Sequence, residues 1–304
     1  MSKYFNRPVN GLLVLDKPSG ISSNQALQQA RKLFRAQKAG HTGSLDPLAT
    51  GVLPLCFGES TKFSQYLLES DKVYLVTAQL GVSTDSGDSD GRVISEQPVP
   101  RWADEDIEPA LAPFRGEIEQ VPSMFSALKY QGTPLYKLAR AGKTVERKAR
   151  TVTIHKLALL DWAHPNLTLE VSATKGTYMR TLIEDLGVAL GVGGHITGLR
   201  RVQAGPYSLQ QAVTLEQLAA VAQESGFEGI EKLLQPISSA VHSWPRALLS
   251  FESAQKIMHG QSVAALEAPK TGWVQILRDP TSFLGVGEVL PDGRIAPRRL
   301  VREA

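Results

Sequence analysis

The sequence predicts an α+β protein, with a mixed, mainly antiparallel central sheet flanked by helices and a small β-rich domain at the C-terminal end. Strand and helix patterns follow one another without the βαβ rhythm of a doubly wound sheet. The last part of the chain carries closely spaced strand patterns separated by short turns. A length of 304 residues exceeds the usual size of one domain, so we expect two domains, at 1–240 and 241–304.

The N-terminal half carries both kinds of hydrophobic periodicity. Apolar residues between Ala26 and Phe34 recur at the spacing of a helix, for which Ser22 or Ser23 offers an N-cap. Apolar residues alternate from Lys72 to Leu80, as in a half-buried strand. The predicted elements are, in order, a strand at 11–15, a helix from about 23 to near 40, a strand at 52–57, a short helix at 61–68, a strand at 72–80 and a short helix from Asp104, as its cap, to about 114.

The C-terminal half reads in the same way. Predicted there are strands at 151–161 and 167–173, helices at 177–190, 214–223 and 251–260, and strands at 272–278, 283–290 and 295–301. Between the strand at 72–80 and the helix that begins at Asp104, residues 83–91 form a turn-rich loop with several aspartates. The loop lacks both the residue spacing and the terminal glutamate of an EF-hand calcium-binding loop, so we expect no metal site in it.

Composition is that of an ordinary soluble globular protein, with 42% hydrophobic and 21% charged residues. Cys56 is the only cysteine, which excludes an internal disulfide, and its apolar surroundings predict a buried, inert thiol. The first ten residues are polar, and no run of 18 apolar residues occurs, so we expect a cytoplasmic protein.

The net charge of +3 decides nothing about nucleic acid, but its distribution is uneven. Residues 129–156, here called the basic segment, contain eight Lys or Arg residues opposed by Glu146 alone, with aromatic residues interleaved. A solvated charged surface is the simplest explanation. At this density a surface that contacts phosphates is favoured slightly over it.

Residues 40–51, here called the signature segment, place one carboxylate in a turn-rich, otherwise uncharged loop. Glycines and Pro47 interrupt any regular element, and Pro47 biases Asp46 toward an extended backbone. An aspartate before a proline often caps a helix or closes a turn. A cap requires one polar residue, whereas here a dozen positions look specified, which favours a functional carboxylate.

The signature segment resembles that of the TruB family of pseudouridine synthases. Further motifs that match the family in the same order are Leu15–Gly20, Lys72–Tyr74, Pro122–Lys129, Lys175–Arg180 and Leu199–Arg201. The match covers about residues 10–210 and continues more weakly to the C-terminus. The resemblance implies the pseudouridine synthase fold, and the C-terminal strands resemble a PUA-like RNA-binding domain.

The family isomerises the uridine conventionally numbered 55 in the T-loop of transfer RNA, which is the activity we expect. By resemblance Asp46 is the nucleophile, Arg180 keeps it ionised, and Tyr74 stacks on the target base and assists removal of the C5 proton. Substrate-binding roles are implied by resemblance for His41, Tyr74, Tyr178, Leu199, Lys17 and Lys129, the two lysines through phosphate or loop-positioning contacts. Neither a cofactor nor a metal is expected, because the reaction needs no redox change and no outside group, and the sequence lacks the motifs that would bind one.

Transfer RNA, through its T stem-loop, is the expected partner of a monomer that needs no other protein. One alternative is a guide-dependent enzyme of the archaeal–eukaryotic branch, which modifies ribosomal RNA together with partner proteins. Another is an RNA chaperone that folds transfer RNA without catalysis. Whether Asp46 attacks C6 or C1′, or deprotonates C2′, stays open at the level of sequence.

Overall fold

The computed structural model describes residues 7–126 and 128–302. Most of the polar N-terminal segment (residues 1–6), Ala127 of the Pro122–Lys129 motif and the last two residues of the predicted C-terminal domain lie outside the described residues. In the described part of the chain no helix is long and apolar enough to cross a membrane.

Strands dominate the structure. In chain order they are β1 (Gly11–Lys17), β2 (Ala39–His41), β3 (Thr50–Phe57), β4 (Lys72–Leu80), β5 (Val82–Thr84), β6 (Val93–Glu96), β7 (Gly116–Gln120), β8 (Lys129–Tyr130), β9 (Thr133–Pro134), β10 (Arg150–Ala163), β11 (Asn166–Ala173), β12 (Gly194–Ala204), β13 (Tyr207–Ser208), β14 (Arg246–Leu248), β15 (Gly272–Asp279), β16 (Ser282–Val289) and β17 (Ile295–Leu300).

Helices flank the sheets. They are α1 (Ser23–Phe34), α2 (Ser64–Leu68), α3 (Asp104–Leu111), α4 (Leu135–Arg140), α5 (Met179–Ala189), α6 (Leu215–Glu231) and α7 (Phe251–Met258). Short 3-10 helices lie at Gly58–Phe63, Ala112–Phe114, Leu209–Gln211 and Ile237–Val241.

The central sheet has the strand order β1-β3-β12-β4-β11-β10-β7, with β2 paired to β3 and β13 to β12. Between its named strands every pairing is antiparallel except that of β12 with β3, which are parallel where Arg200 meets Thr50. One hydrophobic core lies between this sheet and α3 and α5, and another between it and α1 and α6. The predicted α+β class with a mixed, mainly antiparallel sheet is confirmed.

A second sheet, β14-β15-β16-β17, follows in the C-terminal part and packs α7 over a core of its own. Val286 of β16 also joins a cluster with Leu12 and Val14 of β1, so the two sheets share an apolar junction. The domain boundary after residue 240 and the PUA-like character of this module stay predictions.

Most predicted elements are confirmed, and the corrections concern their ends. Helix α1 ends at Phe34, six residues before Gly40, because Arg35 adopts a left-handed backbone with φ of 50°. Asp104 does not cap α3. The cap position is Ala103, and the Asp106 carboxylate accepts a hydrogen bond from its backbone N–H.

The strand β12 was missing from the sequence prediction, although it lies in the middle of the sheet. Its sequence contains Gly198, Arg200 and Arg201 and shows no alternation of apolar and polar residues. The arginines are accommodated because each finds partners from distant parts of the chain: Arg200 pairs with Asp16, its Nη2 lying 2.6 Å from Oδ2, and Arg201 donates to the Val52 carbonyl. Local sequence patterns do not report such long-range pairing.

Candidate active site

Asp46 lies in the loop between β2 and β3, and Lys17 binds the backbone of this loop. The Lys17 side chain is buried, and its ammonium donates to the carbonyl oxygens of Ala49 at 2.7 Å and Pro47 at 3.4 Å. Burial lowers the pKa of Lys17 to about 8, although the nearby Asp46 carboxylate opposes this shift. The placement favours the loop-positioning alternative for Lys17 over a phosphate contact.

Two further side chains fix the start of the same loop. The fully buried Arg201 donates from Nη2 to the Gly43 carbonyl at 3.1 Å. The hydroxyl of Ser23, on α1, accepts from the backbone N–H of Leu45 at 2.7 Å and donates to its carbonyl at 3.0 Å. Side chains from β1, α1 and β12 therefore hold the backbone around Asp46.

Arg180 approaches Asp46 from the first turn of α5. Its Nη2 lies 2.9 Å from Oδ2 of Asp46, and its side chain is only 7% exposed. The same guanidinium donates to the carbonyl oxygens of Ser86 at 2.9 Å and Phe125 at 3.0 Å, and Nη1 lies 3.5 Å from the Asp88 carboxylate. A guanidinium held by several acceptors has little freedom, so it fixes the direction of the Asp46 carboxylate.

The pKa of Asp46 is raised above its usual value, and burial is the main cause. Arg180 opposes the shift through its charge and its hydrogen bond, whereas the Asp88 carboxylate adds to it. The Asp46 side chain is nevertheless 45% exposed, because it faces a pocket. Desolvation by the surrounding protein thus outweighs the arginine, and filling this pocket would remove the remaining water from the carboxylate.

The pocket in front of Asp46 has a volume of about 320 Å³. Most of its lining comes from the signature segment, the start of α5 and the facing strands. The lining residues are Gly43, Ser44, Leu45, Asp46, Leu68, Lys72, Tyr74, Ser126, Thr174, Gly176, Thr177, Tyr178, Met179, Arg180, Leu199 and Arg201. A pocket that combines one anion, cations and apolar walls suits a flat polar ring.

The structure brings five of the sequence-predicted site residues together in this pocket: Asp46, Tyr74, Tyr178, Arg180 and Leu199. Tyr74 lies on β4 and packs against both cores of the central sheet. Burial raises the pKa of the Tyr178 phenol, so this hydroxyl keeps its proton.

His41, Lys17 and Lys129 do not line the pocket. His41 lies on β2, where its Nδ1 is buried without a hydrogen-bond partner, and burial together with Arg201 lowers the pKa of its imidazole. Lys129 is exposed on the hairpin of β8 and β9. Of these three, only His41 combines a position within the signature segment with a buried polar atom that has no hydrogen-bond partner.

The basic segment lies at the surface, with Lys129, Lys137, Arg140, Lys143, Lys148, Arg150 and Lys156 exposed. Lys156 pairs with Glu170 at 2.9 Å. Arg147 differs from these residues, because it is half-buried and donates to the Pro122 carbonyl at 3.0 Å. Arg147 therefore connects the basic segment to the Pro122–Lys129 motif beside the pocket.

Asp88 is the site residue that sequence reasoning missed. It lies in the loop at 83–91, whose aspartates lack the pattern of a calcium-binding loop. Its carboxylate is buried, accepts from the Ser86 hydroxyl at 2.5 Å and lies beside Arg180. The neighbouring Asp90 is exposed. The sequence offers no signal that separates the two, because burial of Asp88 depends on contact with β12 and α5.

Cys56 is buried, as predicted, and burial raises the pKa of its thiol to about 12. Among the described residues, no group of three or more His, Cys, Asp or Glu side chains is arranged to hold a metal ion.

Family models match three consecutive parts of the chain. "TruB family pseudouridylate synthase (N terminal domain)" matches residues 31–179, "tRNA pseudouridylate synthase B C-terminal domain" matches 180–242, and "Pseudouridine synthase II TruB, C-terminal" matches 245–301.

Curated relatives match over nearly the whole length. A protein of Pseudomonas aeruginosa (strain UCBPP-PA14) named tRNA pseudouridine synthase B is 57% identical over 300 residues, covering 99% of this chain and 98% of its own. The protein of the same name from Ectopseudomonas mendocina (strain ymp) is 56% identical, covering 98% and 97%.

Solved structures share the fold. The chain superimposes with a TM-score of 0.74 and 24% identity on "Structure of H/ACA RNP bound to a substrate RNA containing 2'-deoxyuridine", covering 96% of this chain and 85% of that one. It superimposes equally well, at 25% identity and with 95% and 84% covered, on "Crystal Structure of a Cbf5-Nop10-Gar1 Complex". The predicted pseudouridine synthase fold is thereby confirmed.

Proposed function

This chain belongs to the TruB family of pseudouridylate synthases, and on that premise we propose that it isomerises uridine 55 in the T-loop of transfer RNA, with Asp46 as the nucleophile. Its relatives of the same length are named tRNA pseudouridine synthase B, and the chain is accordingly a tRNA pseudouridine synthase, an isomerase. The position of the target uridine and the roles of individual residues are the proposal.

One observation carries the role of Asp46. Its carboxylate is bound at 2.9 Å by an arginine that is itself almost fully buried, and both face the pocket. A carboxylate that served only as a backbone cap would have no need of a guanidinium fixed by two carbonyl groups and a second acid. The arrangement keeps an anionic oxygen directed at whatever fills the pocket.

The reaction rearranges bonds within one nucleotide. The bond between N1 of uracil and C1′ of ribose breaks, a bond between C5 and C1′ forms, C5 loses its proton and N1 gains one. No electron leaves the nucleotide. The Asp46 oxygen attacks C6 or C1′, or removes the C2′ proton. Each route requires this oxygen to be ionised.

Tyr74 supplies a face on which the extruded uracil stacks, and its hydroxyl assists removal of the C5 proton. Tyr74 would act on this proton through a hydrogen bond or a relay. Tyr178 and Leu199 complete a flat slot with an aromatic edge and an aliphatic wall. Extrusion of the base is needed because its C5 and N1 are inaccessible within a stacked loop.

His41 is placed for the nucleotide that leaves the stack. It lies within the signature segment, its imidazole is kept neutral mainly by burial, and its Nδ1 lacks a hydrogen-bond partner. A neutral imidazole can fill the space left by the flipped base or contact its phosphate. Lys129 and the other exposed cations of the basic segment would contact the stem backbone, which is recognised by shape and charge.

Two arginines of the C-terminal module are paired with neighbouring acids. Arg294 pairs with Asp292 at 2.7 Å, and Arg298 pairs with Glu288. Surface pairs of this kind are weak and can open when phosphate is nearby. We propose that residues 241–304 form a PUA-like domain that extends the RNA contact toward the acceptor end.

We further propose that the chain acts as a cytoplasmic monomer, without guide RNA or protein partner. This separates it from the guide-dependent alternative, whose relatives were solved as complexes. Activity of the purified chain on a bare T stem-loop distinguishes the two, because an enzyme that needs a guide would leave this RNA unmodified.

The test of the proposal uses a T stem-loop carrying tritium at C5 of the target uridine, without any added cofactor. The wild-type chain should release the tritium as water. Asp46→Asn should lower the rate by about 10³-fold or more, because an amide is not a nucleophile, while RNA affinity stays within about threefold. Retained turnover in Asp46→Asn would mean that Asp46 is not the nucleophile.

Asp161→Asn is the matched control, because Asp161 is exposed at the far end of β10, and it should behave as the wild type. Transfer RNA refolding, measured on the same proteins, addresses the chaperone alternative. A chain that refolds RNA but releases no tritium in its wild-type form would be a chaperone and not an isomerase.

A further inference from the structure

Ser126 lines the same pocket as Asp46, from the segment that joins β7 to β8. The residue is only 2% exposed, and its buried hydroxyl makes no hydrogen bond of good geometry, although it lies close enough to the Tyr178 phenol to interact with it. No role for Ser126 follows from the activity described above. Its hydroxyl is a polar group in the wall of this pocket.

Other polar groups of the same segment do have hydrogen-bond partners. The backbone N–H of Ser126 donates to the Ser123 carbonyl oxygen at 3.2 Å, and the Ser126 carbonyl oxygen accepts from the backbone N–H of Tyr136 at 3.0 Å. The hydroxyl of Ser123 accepts from the N–H of Phe125 at 3.2 Å. Buried polar groups in proteins almost always have a hydrogen-bond partner, so a hydroxyl without a good one in a pocket wall points to a polar group that binds there.

The surroundings of Ser126 fit the edge of a pyrimidine. The phenol of Tyr178 interacts with the Ser126 hydroxyl, and it keeps its proton because burial raises the pKa of Tyr178. Leu45, Met179 and Leu199 supply apolar walls. Uracil has two flat faces for such walls and carbonyl oxygens on its edge that accept hydrogen bonds.

Resting on the proposed function, we propose that the Ser126 hydroxyl donates a hydrogen bond to a carbonyl oxygen, O2 or O4, of the target uracil. The contact positions the extruded base against Tyr74 and holds it while it is detached from the ribose and turns. Ser126 is thus a substrate-binding residue that limits where the free base can move.

The first test compares Ser126→Ala with the wild type on the T stem-loop. Loss of the hydrogen bond should lower kcat/KM about tenfold. The unfolding temperature of the free protein should not fall, because the substitution removes a buried hydroxyl that makes no hydrogen bond of good geometry. A purely structural serine would instead lower the unfolding temperature.

Ser123→Ala is the matched control within the same segment. It loses a hydrogen bond internal to the segment, so it should lower the unfolding temperature while kcat/KM stays within about threefold of the wild type. Equal activity losses in both variants would mean that the segment, and not the Ser126 hydroxyl, is what matters, and the proposal would be wrong.

The second test changes the substrate at one atom. T stem-loops carry 2-thiouridine or 4-thiouridine at the target position, since sulfur accepts hydrogen bonds more weakly than oxygen. The tenfold penalty of Ser126→Ala should shrink to within about twofold on one of these RNAs. Where turnover of a thio RNA is undetectable, dissociation constants are compared instead. An equal penalty on all three RNAs overturns the proposal.

Failure of the proposed function has a different result. In that case the wild-type chain releases no tritium from any T stem-loop. A wild-type chain that is active, with Ser126→Ala just as active, refutes only the role of Ser126.

Discussion

At the scale of single residues, the chemistry depends on the protonation state of Asp46. Burial raises the pKa of this carboxyl, and Arg180 opposes the shift. Because the reactive form is the anion, activity should fall as the pH drops through this raised pKa. The arginine therefore acts on the lower limit of the working pH range, in addition to fixing the carboxylate geometrically.

Arg180→Ala should move the acid limb of the pH–rate profile to higher pH, since it removes the group that opposes protonation of Asp46. At neutral pH the rate should drop by about 10- to 100-fold, which corresponds to the loss of a charged hydrogen bond. Single-turnover tritium release from pH 5 to 9 measures both effects.

Arg180→Lys serves as the comparison. It keeps a positive charge but cannot bind Asp46 together with the carbonyls of Ser86 and Phe125, so its acid limb should lie between those of the wild type and Arg180→Ala. If the acid limb moved in neither variant, Arg180 would not control the pKa of Asp46.

At the scale of elements, the site is built where two strands meet in parallel. Strand β3 follows the signature loop directly, and β12 pairs with it at Gly51 and Arg201. Gly51 has a φ of 104°, and a Cβ added there would lie 2.8 Å from the backbone N of Arg201 and closer still to its carbonyl oxygen. The glycine thus permits the approach that lets β12 support the loop.

Gly51→Ala should lower the free energy of unfolding by about 3 kcal/mol or more, because left-handed strain and a backbone clash add together. Gly20→Ala isolates the first contribution. Gly20 also has a positive φ, of 82°, but an added Cβ would meet nothing within 4 Å. The control should lose only about 1–2 kcal/mol.

Urea unfolding of both variants gives the two values. Similar losses for Gly51→Ala and Gly20→Ala would mean that the strand junction tolerates a Cβ and that β12 does not depend on this close approach.

At the scale of the whole molecule, the C-terminal sheet packs against the same apolar cluster as the central sheet. Phe283 of β16 packs on Phe63, with ring centroids 5.6 Å apart, and both belong to the cluster that includes Leu12. Polar contacts at the same junction join Lys62 to the Leu300 carbonyl and Arg302 to Glu59. The predicted second domain therefore shares apolar surface with the first.

Phe283→Ala should lower the free energy of unfolding by about 1–3 kcal/mol, because it leaves a cavity at the junction. Phe251→Ala is the matched control in the same module, where the side chain is 69% exposed, and it should change stability by less than about 0.5 kcal/mol. Urea unfolding followed by fluorescence measures both. Equal effects of the two substitutions would contradict a packed junction.

The sequence predicted what depends on local order along the chain. Periodicity identified β4, α1 and α5, and the glycines and Pro47 marked the loop that carries Asp46. The ordered motifs identified the family, which the comparisons confirm, and with it the pairing of Asp46 with Arg180, which the structure places at 2.9 Å. These features are readable because hydrophobic spacing and turn residues act over a few neighbours.

Only the tertiary structure decided which charges are buried and what they hold. Asp88 binds Arg180, Lys17 supports the signature loop, and Arg201 allows β12 to lie in the centre of the sheet. In the sequence Asp88 looks like an ordinary surface charge, and the motifs that contain Lys17 and Arg201 do not show that these two side chains are buried. Burying a charge is favourable only when a partner arrives from a distant segment, and that meeting is set by the fold and not by neighbouring residues.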